Sequence, residues 1–221
     1  MTAPLDKWNK FYEDASSSNT CPPWESSEPF SGLVDFAESN LTLLGSSAIE
    51  LGCGASASAV YLAEKGLECT ALDLSPLAIE RARTMPKGGL VRWIVADILD
   101  PVLCAASGPV TAGSFDFVLD MQCFHVLRTL DEPGACAAVV RLLRPGGHAM
   151  VVTGARSEEE PPLVPGPPAL SQKEVVGPFT TAGLELQFIR QTRFNNTPHY
   201  QTRDRPPLAW VAVFRKPAES S

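Results

Sequence analysis

The stretch IELGCGASASAV, residues 49–60, constrains this chain more than any other part of its sequence. An apolar run that predicts a buried strand ends around Glu50, and Gly52 and Gly54 follow before small residues that predict a helix. Glycines at such a turn let the backbone bend tightly and approach a ligand closely. The stretch therefore predicts a nucleotide-binding loop, although its G-x-G-x-x-A pattern alone does not say which nucleotide is bound.

Short apolar runs alternate with helical stretches over the rest of the chain. Ser75-Pro76 is typical of a helix start, and Ser171 with Glu174 predicts a capping box. The predicted strands are AIEL, LECTALD, LVRWIVAD, SFDFVLD, HAMVVT, LELQFIRQT and PLAWVAVFRK. This alternation predicts an α/β fold, a doubly wound and mostly parallel sheet with helices on both faces.

The length of the chain predicts one domain. Its 221 residues are few for two domains, so residues 1–221 are expected to form a single unit. Two segments lie outside the alternation. Residues 1–40 are expected to cap the bound cofactor or substrate, and the proline- and acid-rich residues 154–170 predict a long loop, either a lid or a disordered tip.

Composition and charge exclude several classes of partner. The net charge of −7 argues against a nucleic-acid partner, and no apolar run approaches the roughly 20 residues of a membrane span. The N-terminus lacks the basic and apolar blocks of a signal peptide. The six cysteines form no C-x-x-C pair and none lies at ligand spacing from a histidine. We therefore expect reduced thiols, no metal site, and a cytoplasmic protein without an obligate protein partner.

Carboxylates end four consecutive predicted strands. Ligands of open α/β sheets bind beyond the carboxyl ends of the strands, where these side chains would form a polar rim. Asp73 lies 19 residues past Gly54, the spacing at which an acid holds the hydroxyl pair of a ribose. Asp97 or its neighbouring backbone suits the exocyclic amine of an adenine. The rim residues and their neighbours expected at the ligand are Glu50, Asp73, Leu74, Asp97, Ile98 and Asp120.

Glu50 decides between the candidate nucleotides. A pyrophosphate is bound by N–H groups at a helix start, away from negative charge. Glu50 stands two residues before the first glycine, where it is better placed to face an ammonium. An ammonium, a ribose and an adenine without any phosphate describe S-adenosylmethionine. Ser56 occupies the position of a third glycine, so the acid-x-G-x-G-x-G form of the motif is incomplete.

With these motifs the chain resembles the class I S-adenosylmethionine-dependent methyltransferases. IELGCGASA, TALDLSPLAIERAR, VRWIVADILD and RLLRPGGHAMVV are similar, in order, to that family's motifs around its first, second, third and fifth strands. The resemblance implies a Rossmann-like sheet of seven strands in the order 3-2-1-4-5-7-6, with the last strand, LAWVAVFRK, antiparallel. It also implies an enzyme that transfers a methyl group from S-adenosyl-L-methionine.

Shorter phrases resemble the tellurite-resistance, thiopurine and related thiol methyltransferases. DMQCFH, residues 120–125, is similar to that group's D-x-G-C-F-H, with Gln122 in place of the glycine. PWESSEP, residues 23–29, is similar to its P-W-D/E-x-x-x-P phrase, and TRFNNTPHYQTRDRPPLAWVAVFRK resembles its last hairpin. The likeness implies a small-molecule acceptor with a thiol or related soft nucleophile. The residues that it places around the pocket are Trp24, Phe11 and Tyr12.

Methyl transfer demands few catalytic groups, because the cofactor is already activated. A thiol, with a reference pKa of about 8.5, loses its proton easily. His125 is the best candidate if a base exists, since its reference pKa of about 6.5 suits proton removal, and a structural histidine is the alternative. Asp120 is expected to contact cofactor or substrate, or else to cap a loop. The weaker substrate candidates are Tyr12, His199, Tyr200 and Arg203, with packing or an exposed turn as the alternative.

Other functions stay open at this point. An N- or O-methyltransferase, including one acting on a protein lysine, has the same cofactor motifs. No N-P-P phrase with an aromatic residue follows the fourth strand, which argues against methylation of nucleic-acid bases. Ser56 and Gln122 are mild indications of a non-catalytic S-adenosylmethionine-binding module. A nicotinamide dehydrogenase is disfavoured by Glu50 and by the Pro-Gly-Gly entry to the fifth strand.

Overall fold

A computed structural model describes residues 3–164, 166–201 and 205–218. The helices are α1 (Ala3–Ser17), α2 (Ser31–Ser39), α3 (Leu41–Leu44), α4 (Ala57–Glu64), α5 (Pro76–Arg83), α6 (Phe124–Leu142) and α7 (Gln172–Thr181). The strands are β1 (Ser47–Leu51), β2 (Glu68–Asp73), β3 (Arg92–Val95), β4 (Phe115–Met121), β5 (Leu143–Ala155), β6 (Ala169–Leu170), β7 (Glu185–Arg193) and β8 (Leu208–Arg215). The predicted starts of α5 and α7 are confirmed, with Ser75 and Ser171 as their N-caps.

The strands form one sheet in the order β3-β2-β1-β4-β5-β8-β7. Strands β1 to β5 pair in parallel, and β8 pairs antiparallel with both β5 and β7. The predicted order is confirmed, since β7 and β8 are the predicted strands six and seven. Because β7 runs in the same direction as β5, the connection between β7 and β8 lies at the sheet edge where β1, β4 and β5 end.

Helices cover the sheet on both faces, as predicted. One core cluster contains Leu33 and Phe36 of α2 and Leu62 of α4, packed with Phe117 and Leu119 of β4. The other contains residues of α6 and α7 packed with the alternate residues of the same strands, among them Val118. All positions of β4 before Met121 are buried, as expected for a central strand with a helix layer on each side.

The segment 154–170 departs from the prediction of a loop without regular structure. Strand β5 continues to Ala155, and Ala169–Leu170 returns to pair with it as the short parallel strand β6. The backbone N–H of Arg156 also donates to the carbonyl of Leu170, at 2.7 Å. The sheet therefore has eight strands instead of the predicted seven, because the end of β5 offers unpaired backbone groups that this short strand satisfies.

Helix α6 begins earlier than the predicted helix at EPGACAAVVRLL. It starts at Phe124 and contains one residue with non-helical backbone, Asp131 (φ −155°, ψ 89°). The carboxylate of Asp131 accepts from the N–H of Gly134 at 2.9 Å, so it caps the second half of the helix. In the described part of the chain, every helix is too short or too polar to cross a membrane.

Candidate functional site at the carboxyl edge of the sheet

The glycine loop, residues 52–56, connects β1 to α4. Gly52 (φ +59°) and Gly54 (φ +55°) both have left-handed backbone, which favours glycine. A Cβ on Gly54 would lie 2.8 Å from the Tyr12 hydroxyl, so a side chain there would also clash. Ser56 is the N-cap of α4, and its Oγ accepts from the N–H groups of Ser58 and Ala59 at 3.1 and 3.2 Å. The residue in place of the third glycine therefore has a structural role.

Glu50 lies near the end of β1 and is 1% exposed. Its Oε2 is buried and has no hydrogen-bond partner among the described residues. Burial raises the pKa of this carboxyl to about 8, although the hydroxyl of Ser56 acts in the opposite direction. A buried carboxyl with an unsatisfied oxygen fits a cationic donor, because an ammonium would supply both the missing hydrogen bond and the compensating charge.

Asp73 ends β2 and holds the glycine loop in place. Its Oδ2 accepts from the N–H of Gly54 at 2.8 Å, and its Oδ1 accepts from the N–H of Ser75 at 2.8 Å. Burial raises the pKa of Asp73, and these N–H donors oppose the shift. Each carboxylate oxygen keeps capacity for a second donor, so a ribose contact is compatible with this geometry. Leu74 follows at the same edge, half-buried between Asp73 and the start of α5.

Asp97 and Ile98 follow the third strand. Asp97 is half-buried, and its Oδ1 accepts from the N–H of Leu99 at 2.9 Å. Ile98 is 5% exposed and belongs to the core cluster that contains α6. The Asp97 side chain thus stabilises the turn that follows β3.

The charges of the strand-end carboxylates act on one thiol, that of Cys123. Burial raises the pKa of Cys123 well above its usual range, and charges on neighbouring carboxylates raise it further. Those carboxylates are Asp120, Asp73, Asp97 and Glu50. Because β3, β2, β1 and β4 are neighbours in the sheet, their carboxyl ends bring these side chains to one edge. A thiol with so high a pKa is a poor nucleophile.

Asp120 caps the start of α6. Its Oδ1 accepts from the N–H groups of Cys123 and Phe124 at 3.1 and 2.9 Å. The side chain is 2% exposed, and burial raises its pKa to about 7. Gln122, in the same turn, has φ +66°, the left-handed conformation for which the resembling phrase carries glycine. The contacts of Asp120 are therefore those of a capping residue, the alternative to a ligand contact that the sequence analysis named.

His125 is buried beside this turn, and its expected titration needs correction. The side chain is 5% exposed, and its Nδ1 has no partner among the described residues. Burial lowers the pKa to about 4, because the charged imidazolium is poorly solvated there. The value near 6.5 that made His125 attractive as a base does not apply, and the neutral ring is a weak proton acceptor.

Aromatic residues of the N-terminal segment close over the glycine loop. The Nε1 of Trp24 donates to the Tyr12 hydroxyl at 3.4 Å, and both groups lie beside Gly54. Trp8 and Phe11 of α1 also pack on Trp24, with ring centroids 5.6 and 5.0 Å away. Burial, and secondarily Asp73, raises the pKa of Tyr12. Tyr12, predicted as a weak substrate contact, therefore lies with Trp24 on the predicted cofactor side.

Two anchors of this segment were missed from sequence. Arg81 of α5 pairs with the Glu25 carboxylate through several hydrogen bonds of 2.7–2.9 Å. The Ser75 hydroxyl donates to the Asn9 amide oxygen at 2.7 Å. Glu25 belongs to the phrase PWESSEP, which was interpreted only for its tryptophan, and nothing in the sequence pointed to Arg81 as its partner.

The connection between β7 and β8 lies at the same edge. His199 is half-buried and Tyr200 buried, with ring centroids 5.0 Å apart, and Arg203 lies outside the described residues. The loop after β5 is attached to this hairpin, because Glu160 forms ion pairs with Arg193 and Arg205 at 2.7 and 2.9 Å. The loop after β5 and the last hairpin therefore meet at the carboxyl edge of the sheet.

Comparison with known proteins agrees with this geometry. Residues 49–151 match a family model described as a methyltransferase domain. A 2-heptyl-1-hydroxyquinolin-4(1H)-one methyltransferase of Mycobacteroides abscessus is 26% identical over 70% of this chain, and a ubiquinone biosynthesis O-methyltransferase of Xanthomonas euvesicatoria is 28% identical over 80%. The chain spans 65% of the length of each of these relatives.

Solved structures share the fold along almost the whole chain. One, described as "Conversion of a Disulfide Bond into a Thioacetal Group during Echinomycin Biosynthesis", has a TM-score of 0.77 and 24% identity, and the match covers 98% of this chain and 94% of that one. A TehB-like SAM-dependent methyltransferase from Corynebacterium glutamicum has a TM-score of 0.58 and 18% identity, with 98% and 100% covered. Residues 49–151 are therefore similar in sequence to a methyltransferase domain, and the chain has the Rossmann-like fold of these solved structures.

Proposed function

We propose that this chain is an S-adenosylmethionine-dependent methyltransferase that acts on a small-molecule acceptor. The burial of Glu50 is the observation that supports the proposal most directly. This residue is 1% exposed, and its Oε2 lacks a hydrogen-bond partner among the described residues. A buried acceptor without a donor is costly, so this site favours a ligand that brings one. The methyltransferase domain over residues 49–151 supports the same cofactor.

The residues of the site are proposed to bind and orient the cofactor and the acceptor. S-adenosylmethionine would supply, when bound, a methyl group already activated on a sulfonium sulfur. Glu50 is proposed to hold the ammonium and Asp73 the ribose hydroxyls, with Leu74, Asp97 and Ile98 along the adenine. Tyr12 and Trp24 cover the glycine loop and exclude water from it. Orientation and exclusion of water are the main contributions a protein makes to a displacement of this kind.

Proton release on binding tests the role of Glu50. With a pKa of about 8, Glu50 is protonated at pH 6.5 and must ionise to pair with an ammonium. Calorimetric titration with S-adenosylhomocysteine at pH 6.5, in buffers of different ionisation enthalpy, should show release of about one proton. Glu50→Gln should release almost none and bind at least about tenfold more weakly. Glu68→Gln, at an exposed site on β2, is the matched control and should behave like wild type.

Each outcome of this titration has a separate meaning. Binding by wild type without proton release, or unchanged affinity in Glu50→Gln, contradicts the assignment of Glu50 to the ammonium. No binding of S-adenosylhomocysteine by the wild-type protein contradicts the cofactor itself. Binding without methyl transfer to any acceptor favours the non-catalytic module that Ser56 and Gln122 left open.

A thiol or related soft nucleophile is the acceptor that we propose. His125, with a pKa of about 4, is a weak base, and Asp120 already accepts two N–H groups. A thiol, whose reference pKa is about 8.5, needs less help to lose its proton than a phenol at about 10. The structural neighbour whose description concerns conversion of a disulfide into a thioacetal supports sulfur chemistry on this fold.

Hydroxyl methylation is the second candidate. It is favoured by the two curated relatives, which are a hydroxyquinolinone methyltransferase and an O-methyltransferase. The two candidates differ in how easily the acceptor loses its proton, because a phenol stays protonated at neutral pH unless a base removes the proton.

Paired acceptors distinguish these candidates. Thiophenols and alkyl thiols are compared with phenols and alcohols of the same skeleton, using S-adenosylmethionine labelled in the methyl group. We expect kcat/KM for the thiol of a pair to exceed that for the hydroxyl compound by about tenfold or more, since at pH 7.5 a larger fraction of the thiol than of the hydroxyl compound is ionised. A consistent preference for the hydroxyl compounds contradicts the thiol proposal and supports O-methylation.

We propose further that residues 1–40 cap the cofactor and that residues 154–170 border the acceptor within a single domain, residues 1–221. Glu25 and Glu160, which attach these segments to Arg81 and Arg193, support this division. The net charge of −7 supports a small-molecule acceptor over a nucleic acid. A cytoplasmic location and the lack of an obligate protein partner stay predictions from the sequence.

A further inference from the structure

A single amide joins the N-terminal segment to the last hairpin. Asn195 follows β7, and its Nδ2 donates to the carbonyls of Pro29 at 2.9 Å and Glu28 at 3.2 Å, and to the Ser26 hydroxyl at 3.4 Å. Its Oδ1 accepts from the N–H of Ser31 at 3.1 Å. Both ends of this side chain are therefore used to hold residues more than 160 positions away in sequence.

Asn195 also completes the start of α2. The N-cap residue of that helix, Phe30, makes no side-chain capping bond. The first N–H groups of a helix lack intrahelical acceptors, and Ser31 is the first residue of α2. The Asn195 oxygen supplies the acceptor from the far end of the chain, so the entry to α2 depends on the hairpin.

A second contact brackets the same segment. The buried Thr197 donates its hydroxyl to the carbonyl of Pro23 at 2.8 Å. Trp24 follows directly and donates to Tyr12 beside Gly54. Residues 22–29, which we call the Trp24 segment, are thus attached to the hairpin on both sides of Trp24. On the opposite side, Arg81 holds the same segment through Glu25.

We propose that Asn195 is a positioning residue, which holds the Trp24 segment over the glycine loop so that Trp24 and Tyr12 enclose the bound cofactor. The inference rests on the proposed function, since it concerns the same site. Without the amide, the Trp24 segment keeps its attachment to Arg81 and loses its main attachment to the hairpin. The expected loss is therefore in cofactor retention, with little change in the chemical step.

Fluorescence quenching tests the positioning without any cofactor. The chain has four tryptophans, so the fluorescence of each variant is compared with that of the same variant carrying Trp24→Phe. The difference in acrylamide quenching between the two reports how accessible Trp24 is. Asn195→Ala should raise the quenching of Trp24 at least about twofold, because removal of this bonded amide frees the segment. Asn195→Asp keeps the size but places a carboxylate against the carbonyls of Pro29 and Glu28, so it should not restore protection.

Cofactor affinity supplies the second measurement. Asn195→Ala should raise the Kd for S-adenosylhomocysteine and the KM for S-adenosylmethionine by about tenfold, with kcat within about twofold of wild type. Asn40→Ala is the matched control, because its amide donates to the Phe36 carbonyl at the other end of α2, at 3.1 Å. It should lower the melting temperature without changing either constant.

The outcomes separate the two proposals. If wild type binds S-adenosylhomocysteine while Asn195→Ala shows unchanged Kd and unchanged Trp24 quenching, Asn195 has no positioning role. If wild type does not bind it, the proposed function fails, and the quenching experiment still decides whether Asn195 places Trp24. Should Asn195→Ala not fold, Thr197→Val removes the neighbouring hydrogen bond at similar volume and should shift both measurements in the same direction by a smaller factor.

Discussion

Ser56 and Gln122 stand where the resembling motifs have glycine, and the structure treats them differently. Ser56 has extended backbone (φ −95°, ψ 114°) and caps α4, so glycine would lose a hydrogen-bonding side chain there. Gln122 has φ +66°, where any side chain is strained and glycine is not. One departure from the motif is therefore stabilising and the other costs stability.

Gln122→Gly should stabilise the protein. Relief of the left-handed backbone stabilises the folded state by about 1–2 kcal/mol. The added freedom of glycine stabilises the unfolded chain and offsets about 0.4–1 kcal/mol of this gain. We expect a net gain of about 0.5–1 kcal/mol by urea unfolding. The control is Gln191→Gly at an exposed position of β7, which should lose stability. A loss of stability in Gln122→Gly as well would indicate that the glutamine side chain makes a contact worth more than the strain.

At the scale of elements, helix α1 lies over the glycine loop through Tyr12, and other elements hold it there. It packs on α5, where the Ser75 hydroxyl donates to Asn9, while Arg81 of α5 binds Glu25 beyond the end of α1. The aromatic residues Phe11, Tyr12 and Trp24 then cover the glycine loop as one unit. Closure of the cofactor site thus depends on α5, an element that contributes no predicted cofactor contact of its own.

Arg81→Met should weaken cofactor binding. Methionine keeps part of the packing of the arginine stem and removes the paired hydrogen bonds to Glu25. Because the pair is only partly buried, we expect the Kd for S-adenosylhomocysteine to rise by about threefold to tenfold, measured by calorimetry. Arg83→Met, on the same helix without a contact to Glu25, should leave this Kd unchanged. Equal Kd values for both variants and wild type would mean that the Trp24 segment is held without Arg81.

At the scale of the whole molecule, three buried titratable groups meet at the carboxyl edge. Burial raises the pKa of Glu50 to about 8 and of Asp120 to about 7, and lowers that of His125 to about 4. The folded state therefore prefers all three side chains uncharged. Through Glu50 and Asp120 the protein loses stability as pH rises from their unfolded-state pKa values near 4 towards their folded-state pKa values. Through His125 it loses stability as pH falls from the unfolded-state pKa of about 6.5 to the folded-state pKa of about 4.

Stability of the protein without cofactor should fall between pH 6.5 and pH 7.5. In this window the unfolded Glu50 is already ionised while the folded one still holds its proton, which contributes a slope of up to about 1.4 kcal/mol per pH unit. Urea unfolding at both pH values should show a smaller decline in Glu50→Gln than in wild type, with Glu68→Gln as the exposed control. Identical slopes for wild type and Glu50→Gln would mean that Glu50 is ionised in the folded protein.

The sequence by itself determined the parts of this protein that depend on local pattern. Strand-helix alternation predicted the sheet, and the motif resemblance its order, because hydrophobic period and capping residues such as Ser75 act within a few residues. The carboxylates at the strand ends could also be predicted, since parallel strands bring their carboxyl ends to one edge. The pKa of one thiol, that of Cys123, is accordingly raised by all four of these carboxylates, Glu50, Asp73, Asp97 and Asp120.

Only the tertiary structure decided what depends on burial and on distant partners. The pKa of His125 is set by desolvation, which the phrase DMQCFH does not contain, so a candidate base proved to be a weak one. The return of residues 169–170 to the sheet and the bonds of Asn195 to residues 26–31 join positions far apart in sequence. Such contacts form between segments that are far apart in sequence and leave no pattern in the sequence around either one. Each contact needs only a donor on one segment and an acceptor on the other.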